Sequence, residues 1–66
     1  MKKLTKKDFH AQYTIHLCKE SDNVRIIEDY GKFLPQILSD GTWKTITSGP
    51  CFNFRNALNE INRIMR

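Results

Sequence analysis

The stretch FHAQYTIHLCK, residues 9–19, alternates apolar and polar side chains without interruption. Its odd positions are Phe9, Ala11, Tyr13, Ile15 and Leu17, and its even positions are His10, Gln12, Thr14, His16 and Cys18. A period of two is the mark of a strand with one face buried and one face wet. Read this way, residues 9–19 form one long strand whose odd face enters the core, which leaves two histidines and a cysteine in water.

Working outward, ESDN at 20–23 is turn chemistry, because Asp and Asn side chains bond their own backbone and tolerate sharp bends. VRIIED at 24–29 follows as a second strand, and Ile27 breaks its alternation, which suggests a bulge or a second apolar face. Residues 29–32 make a turn, or the strand runs on through Tyr30. KFLPQIL at 32–38 is apolar on both parities, Phe33 and Ile37 on one and Leu34 and Leu38 on the other. Pro35 lacks an N–H, so this strand is expected at an edge or with a bulge. SDGT at 39–42 carries Asp-Gly, the pair that supplies the positive φ of tight hairpins. TWKTIT at 42–47 is β-branched and aromatic, and SGP ends the sheet.

Beyond residue 52 the period changes to 3.6. Phe54, Ala57, Leu58, Ile61, Ile64 and Met65 fall on one helical stripe. Asn53 is the expected N-cap, Phe52 is placed to staple onto Ala57, and Arg63 and Arg66 suit the negative end of the helix dipole. The order predicts an α+β fold: a small antiparallel sheet of three to four strands with one C-terminal helix, residues 53–66, packed on one face.

Sixty-six residues make one small domain that buries only about 60% of its unfolded surface, which disfavours a deep, dry active site. Apolar residues make up 39% of the chain, enough for a core and too many for a disordered segment. The net charge is +4, and Lys2, Lys3, Lys6 and Lys7 alone carry that much. Residues 1–7 therefore read as a flexible basic arm and 8–66 as a folded body, electrically neutral as a whole. No apolar run suits a secretory signal or a membrane span, which predicts a cytoplasmic protein with reduced thiols.

Chemical motifs are sparse. His16, Cys18 and Cys51 have metal-ligating types, but structural zinc takes four ligands in close spacings, and six strand residues would hold His10 ~20 Å from His16. Cys18 with His16 lacks the third group that activates a nucleophile. Glu28 and Asp29 are adjacent, so on a strand they face opposite ways, and the three glycines sit singly rather than in a phosphate loop. The expectation is a non-enzymatic protein with no metal and no cofactor.

One helix covers one sheet face, and the apolar residues exceed what that face can hold. Ile27, one parity of FLPQIL, and either Trp43 or Ile46 must point elsewhere. Exposed apolar clusters of this kind mark protein interfaces. The expected anchors are Tyr30, Phe33 and Trp43 with Lys32 and Lys44 at the rim, facing a larger protein or nucleoprotein, or a second copy of the chain. The alternative is direct DNA or RNA binding through Lys2, Lys3, Lys6, Lys7, Arg25, Arg55, Arg63 and Arg66.

The succession FLPQILSDGTWKTI followed by FNFRNALNEI, residues 33–61, resembles a pattern in small proteins of phages and mobile elements, anti-CRISPRs among them. That resemblance implies a phage-type inhibitor that occludes a surface of a host defence or nucleic-acid-handling protein. The tryptophan strand followed by GPCFNFRNAL also resembles the sheet-plus-helix arm-binding domain of tyrosine integrases, although the strands here are not predominantly basic.

Overall fold

A computed structural model describes residues 3–64. A 3-10 turn, Lys6–Asp8, leads into five strands, β1 (Phe9–Gln12), β2 (Ile15–Cys18), β3 (Val24–Asp29), β4 (Lys32–Ser39) and β5 (Thr42–Thr45), and then helix α1 (Phe54–Ile64). The strands form one antiparallel meander in chain order, and α1 lies across β3 and β4 on one face. The architecture is the expected α+β sheet and helix, with five strands where three to four were predicted.

The extra strand arises inside the opening stretch. Instead of one strand, residues 9–18 make a hairpin that reverses over two residues, Tyr13 and Thr14, with Gln12 opposite Ile15 and Phe9 opposite Cys18. Tyr13 holds φ at +57°, a left-handed conformation uncommon for a bulky residue, and its ring is 96% exposed. The reversal exchanges the parity of the faces. Phe9 and Ala11 keep to the helix side, but there they meet His16 and Cys18, while Ile15 and Leu17 turn to the other side. The expected wet side of His16 and Cys18 is thereby corrected: Cys18 is buried in the core, and of the two histidines only His10 is exposed.

Ile27 is accounted for without a bulge. Pairing of β3 with β4 is continuous over six residues, and Ile27 sits opposite Leu34 on the face away from the helix. Pro35 lies in β4, an interior strand, rather than at an edge, and it is fully buried. It is tolerated because the sheet is locally open there. Phe33, of the same parity, exchanges hydrogen bonds with Cys51 on the side away from β3, and β5 pairs with β4 only from Gln36 onward. The missing N–H of Pro35 thus faces the gap between Thr45 and Cys51, while its carbonyl accepts from the Ile46 N–H at 3.0 Å. The hairpin turns at Tyr30-Gly31 and Asp40-Gly41 both place two consecutive residues at positive φ, the mark of the tight type I′ turn.

The core is Leu4, Phe9, Cys18, Val24, Ile26, Ala57, Leu58 and Ile61, with Phe33, Ile37, Ile46, Cys51 and Phe54 packed around it. Asn53 caps α1 as expected, its Oδ1 accepting the Asn56 N–H at 2.8 Å. Phe52 makes no staple: it is 76% exposed and lies under the Lys32 ammonium. The basic arm is also docked over its described part. Leu4 is buried, its N–H donates to Asn62 Oδ1 and its carbonyl accepts from Asn62 Nδ2, both at 2.8 Å. Asp8 is buried where the arm enters β1, and its carboxylate accepts the Thr5 N–H at 2.8 Å. Lys2, Met65 and Arg66 lie outside the described residues.

The parity exchange has a direct test in adjacent residues. Cys18→Ser places a hydroxyl in the core and is expected to cost about 1–3 kcal/mol, whereas Leu17→Ser, on the far face, should stay within roughly 1 kcal/mol of the parent. Urea unfolding of the two variants measures both. Equal losses, or a larger loss at Leu17, would show the opening stretch to be a single strand.

Candidate functional site

The face of the sheet away from α1 is assembled by register. Ile15 of β2, Ile27 of β3 and Leu34 of β4 stand opposite one another in a row across three strands. Leu38 of β4 stands opposite Trp43 of β5. Between these apolar groups runs a row that starts at Leu17 and continues as a polar line, Arg25, Gln36 and Thr45, each opposite the next. Arg25 Nε donates to Gln36 Oε1 at 2.8 Å, and Gln36 Nε2 donates to Thr45 Oγ1 at 3.1 Å. The Arg25 guanidinium also lies 4.1 Å from the centre of the Trp43 ring. A stacked, hydrogen-bonded guanidinium is a charge already held in place, and it fixes the Trp43 rotamer as well. No element of the described chain covers this face. Leu17 is 39% exposed, and Ile15, Ile27, Leu34, Leu38 and Trp43 are half-buried.

At one end of the sheet, Tyr30 in the β3–β4 turn is 97% exposed with φ at +50°. With Asp29, Lys32, Leu34 and Pro50 it lines a shallow depression at the rim of the open face. Phe52, expected from its sequence position at the helix start, stands beside it with the Lys32 ammonium 5.8 Å from its ring.

The predicted anchors therefore divide between two sides. Trp43 and Lys32 are on the open face and Tyr30 is at its rim. Phe33 points to the helix, edge-on to Phe54 with centroids 6.1 Å apart, and Lys44 shares the helix side with Ile37 at the sheet edge. Ile15 and Leu17 belong to the open face although the sequence pattern placed them in the core. The predicted nucleic-acid residues divide too. Arg25 is on the open face, whereas Lys3, Lys6, Lys7, Arg55 and Arg63 are exposed on the N-terminal segment and α1.

On the helix side, His16 sits among Phe33 and Phe54, its ring 5.1 Å from that of Phe54, with Nε2 3.3 Å from Glu28 Oε1. Phe9 meets Phe54 edge-on at 5.5 Å. This cluster fixes the first turn of α1 against β1, β2 and β4. Cys51, paired to Phe33, is the other group of chemical interest. Burial pushes its thiol above the ordinary range, and the Glu60 carboxylate adds to the shift. Both cysteines are free thiols, and among the described residues no three His, Cys, Asp or Glu side chains are grouped to hold a metal. No helix among those residues is long and apolar enough to cross a membrane.

Compared with known proteins, the chain matches no family model, no curated protein and no solved structure.

The Cys51 environment gives a pH dependence of definite sign. A thiol whose folded pKa is raised keeps its proton longer in the folded state, so its contribution to stability is intact below the unfolded thiol pKa and is lost as pH rises past it. Unfolding midpoints should fall above about pH 8.5, and Cys51→Ala should flatten that decline. Alkylation of Cys51 by iodoacetamide at pH 8 should be slower in the folded chain than in urea. Equal rates would show that the thiol is not held in its protonated form.

Proposed function

We propose that this protein is a non-enzymatic binding protein that works by covering a surface of a larger protein with the open face of its sheet. The observation that carries the reading is the uncovered face itself: Ile15, Ile27 and Leu34 in one row and Leu38 with Trp43 in another, separated by a hydrogen-bonded polar line. Interfaces are built in this way, with aromatic and aliphatic anchors beside polar groups whose partners are already satisfied. Trp43 is the central anchor, since a Trp held by a stacked Arg brings large contact area at little further cost in rotamer freedom. Tyr30 and Lys32 form the rim. The resemblance of residues 33–61 to small phage proteins adds the biological setting, an inhibitor that occludes a host protein of defence or nucleic-acid handling.

The test combines capture with two substitutions. A photo-crosslinking residue at Leu34 should trap a partner from bacterial lysate that the same residue at Asn59, on the helix, does not. Against that partner Trp43→Ala should lose at least ~2 kcal/mol of binding, about 30-fold, with melting changed little. Phe33→Ala, on the helix side, should instead cost ~3 kcal/mol of folding. A partner trapped equally from both positions, or one indifferent to Trp43→Ala, would remove the open face from the function.

A further inference from the structure

The hydrogen bonds between Leu4 and Asn62 do more than hold down the N-terminal segment. They lay it alongside α1, so that basic residues from opposite ends of the sequence share one side of the molecule. Lys3 precedes Leu4, whose backbone is held by Asn62, and Arg63 follows Asn62 on the helix. Two residues beyond Leu4, the Lys6 ammonium lies 6.0 Å from the ring of Phe54 in the first turn of α1, the turn that also carries the exposed Arg55. Lys7 is exposed on the same 3-10 turn. Along α1 itself, Arg55, Asn59 and Arg63 recur every fourth residue, which makes one exposed stripe. The two points of contact, at residues 54 and 62, are eight helical residues or ~12 Å apart.

The charge on this side is predominantly positive. Its described cations are Lys3, Lys6, Lys7, Arg55 and Arg63, and its carboxylates are two. Asp8 is buried and bonded to Thr5, and Glu60 is held by Arg63 at 2.6 Å. The rest of the described chain has four cations, Lys19, Arg25, Lys32 and Lys44, against five carboxylates, Glu20, Asp22, Glu28, Asp29 and Asp40. The molecule is therefore polarised, basic along the helix and near neutral over the sheet.

We infer that the ridge formed by the N-terminal segment and α1 is a contact surface for the phosphate backbone of a nucleic acid. Long, exposed cations distributed along ~12 Å of this ridge can reach several phosphates of one strand, which advances 3.4 Å per base pair along the duplex axis. Asn56 and Asn59, exposed on α1, add neutral donors of the kind that bond phosphate oxygens. The inference is independent of the proposed sheet-face interface, since it rests on other residues on another side.

The experiment is a salt titration of the 66-residue chain with three probes: a 20-base-pair duplex, a single-stranded RNA of equal length, and poly-glutamate. For four to five phosphates neutralised, log affinity for the duplex should fall with log salt at a slope of about −3.6 to −4.5. Lys6→Gln and Arg55→Gln should each reduce that slope by about 0.9. Lys3→Gln, which touches no aromatic ring, serves as a second variant should Lys6→Gln disturb Phe54, and melting curves confirm that each folds. Trp43→Ala should leave duplex binding unchanged, which separates this surface from the sheet face. Single-stranded RNA bound with a slope of about −0.7 per phosphate and the same sensitivity to Lys6 and Arg55 supports the ridge equally. Absence of binding to both nucleic acids at 50 mM salt would overturn the inference. So would poly-glutamate bound as tightly as the duplex, or a slope that ignores the ridge variants and follows Arg25 or Lys44 instead.

Discussion

Everything in this fold is referred to the two-residue reversal at Tyr13 and Thr14, because it decides which side of β2 faces the helix. With Phe9 opposite Cys18, and with His16 opposite Ile26 and Leu17 opposite Arg25, His16 and Cys18 share the face of Ile26 while Leu17 shares that of Arg25. A slip of one residue would turn each of these side chains to the other face. The cost is a tyrosine held at positive φ and a histidine brought under the helix. Glu28 and the rings of Phe33 and Phe54 offset the second by giving the imidazole a charged partner and two aromatic neighbours. The same contacts fix Phe54 at the start of α1. The hairpin and the docking of the helix are thus coupled through one aromatic cluster.

The uncovered face follows from size. An eleven-residue helix is ~16 Å long and ~10 Å across, whereas five strands at ~4.8 Å spacing span ~19 Å. One helix is sufficient for one face of such a sheet, and the described residues form no second α-helix. On the covered side the core closes around Ile26 and Ile61, both with no exposed surface. On the other side the apolar residues meet only their cross-strand neighbours, and the Arg25–Gln36–Thr45 line satisfies the polar groups there without an outside partner. A surface so prepared costs little further ordering when another protein covers it.

The polarity of the molecule has a separate origin. Five of its seven acidic residues lie on the strands and the turns between them, and its excess cations lie towards the two chain ends. The Leu4–Asn62 clamp turns two distant basic segments into one surface by bonding a helix side chain to the backbone of the N-terminal segment. The two proposed contacts, on the sheet face and on the helix side, lie on different sides of the molecule and so do not compete for the same surface.

The sequence by itself determined the helix, its Asn53 cap, the Asp40-Gly41 hairpin and the surplus of apolar strand residues. Each is a local property: a 3.6-residue stripe, a side-chain oxygen three residues from its donor, a dipeptide that accepts positive φ, and two apolar parities in one short run. The hairpin inside residues 9–18 was not legible in it. Tyr-Thr carries no turn chemistry, and the odd residues remain apolar on both sides of the reversal. Ile15 and Leu17 therefore look like a continuation of the core face when they belong to the opposite one. Hydropathy distinguishes buried from wet, and here both faces of the sheet are apolar, so only cross-strand pairing could assign them. Pro35 was read as an edge residue for the same reason, since the gap opposite its nitrogen depends on where β5 ends and Cys51 returns. The docking of Leu4 on Asn62, 58 residues apart, was likewise decided by tertiary structure, because a hydrogen bond of that span leaves no periodic trace in the chain.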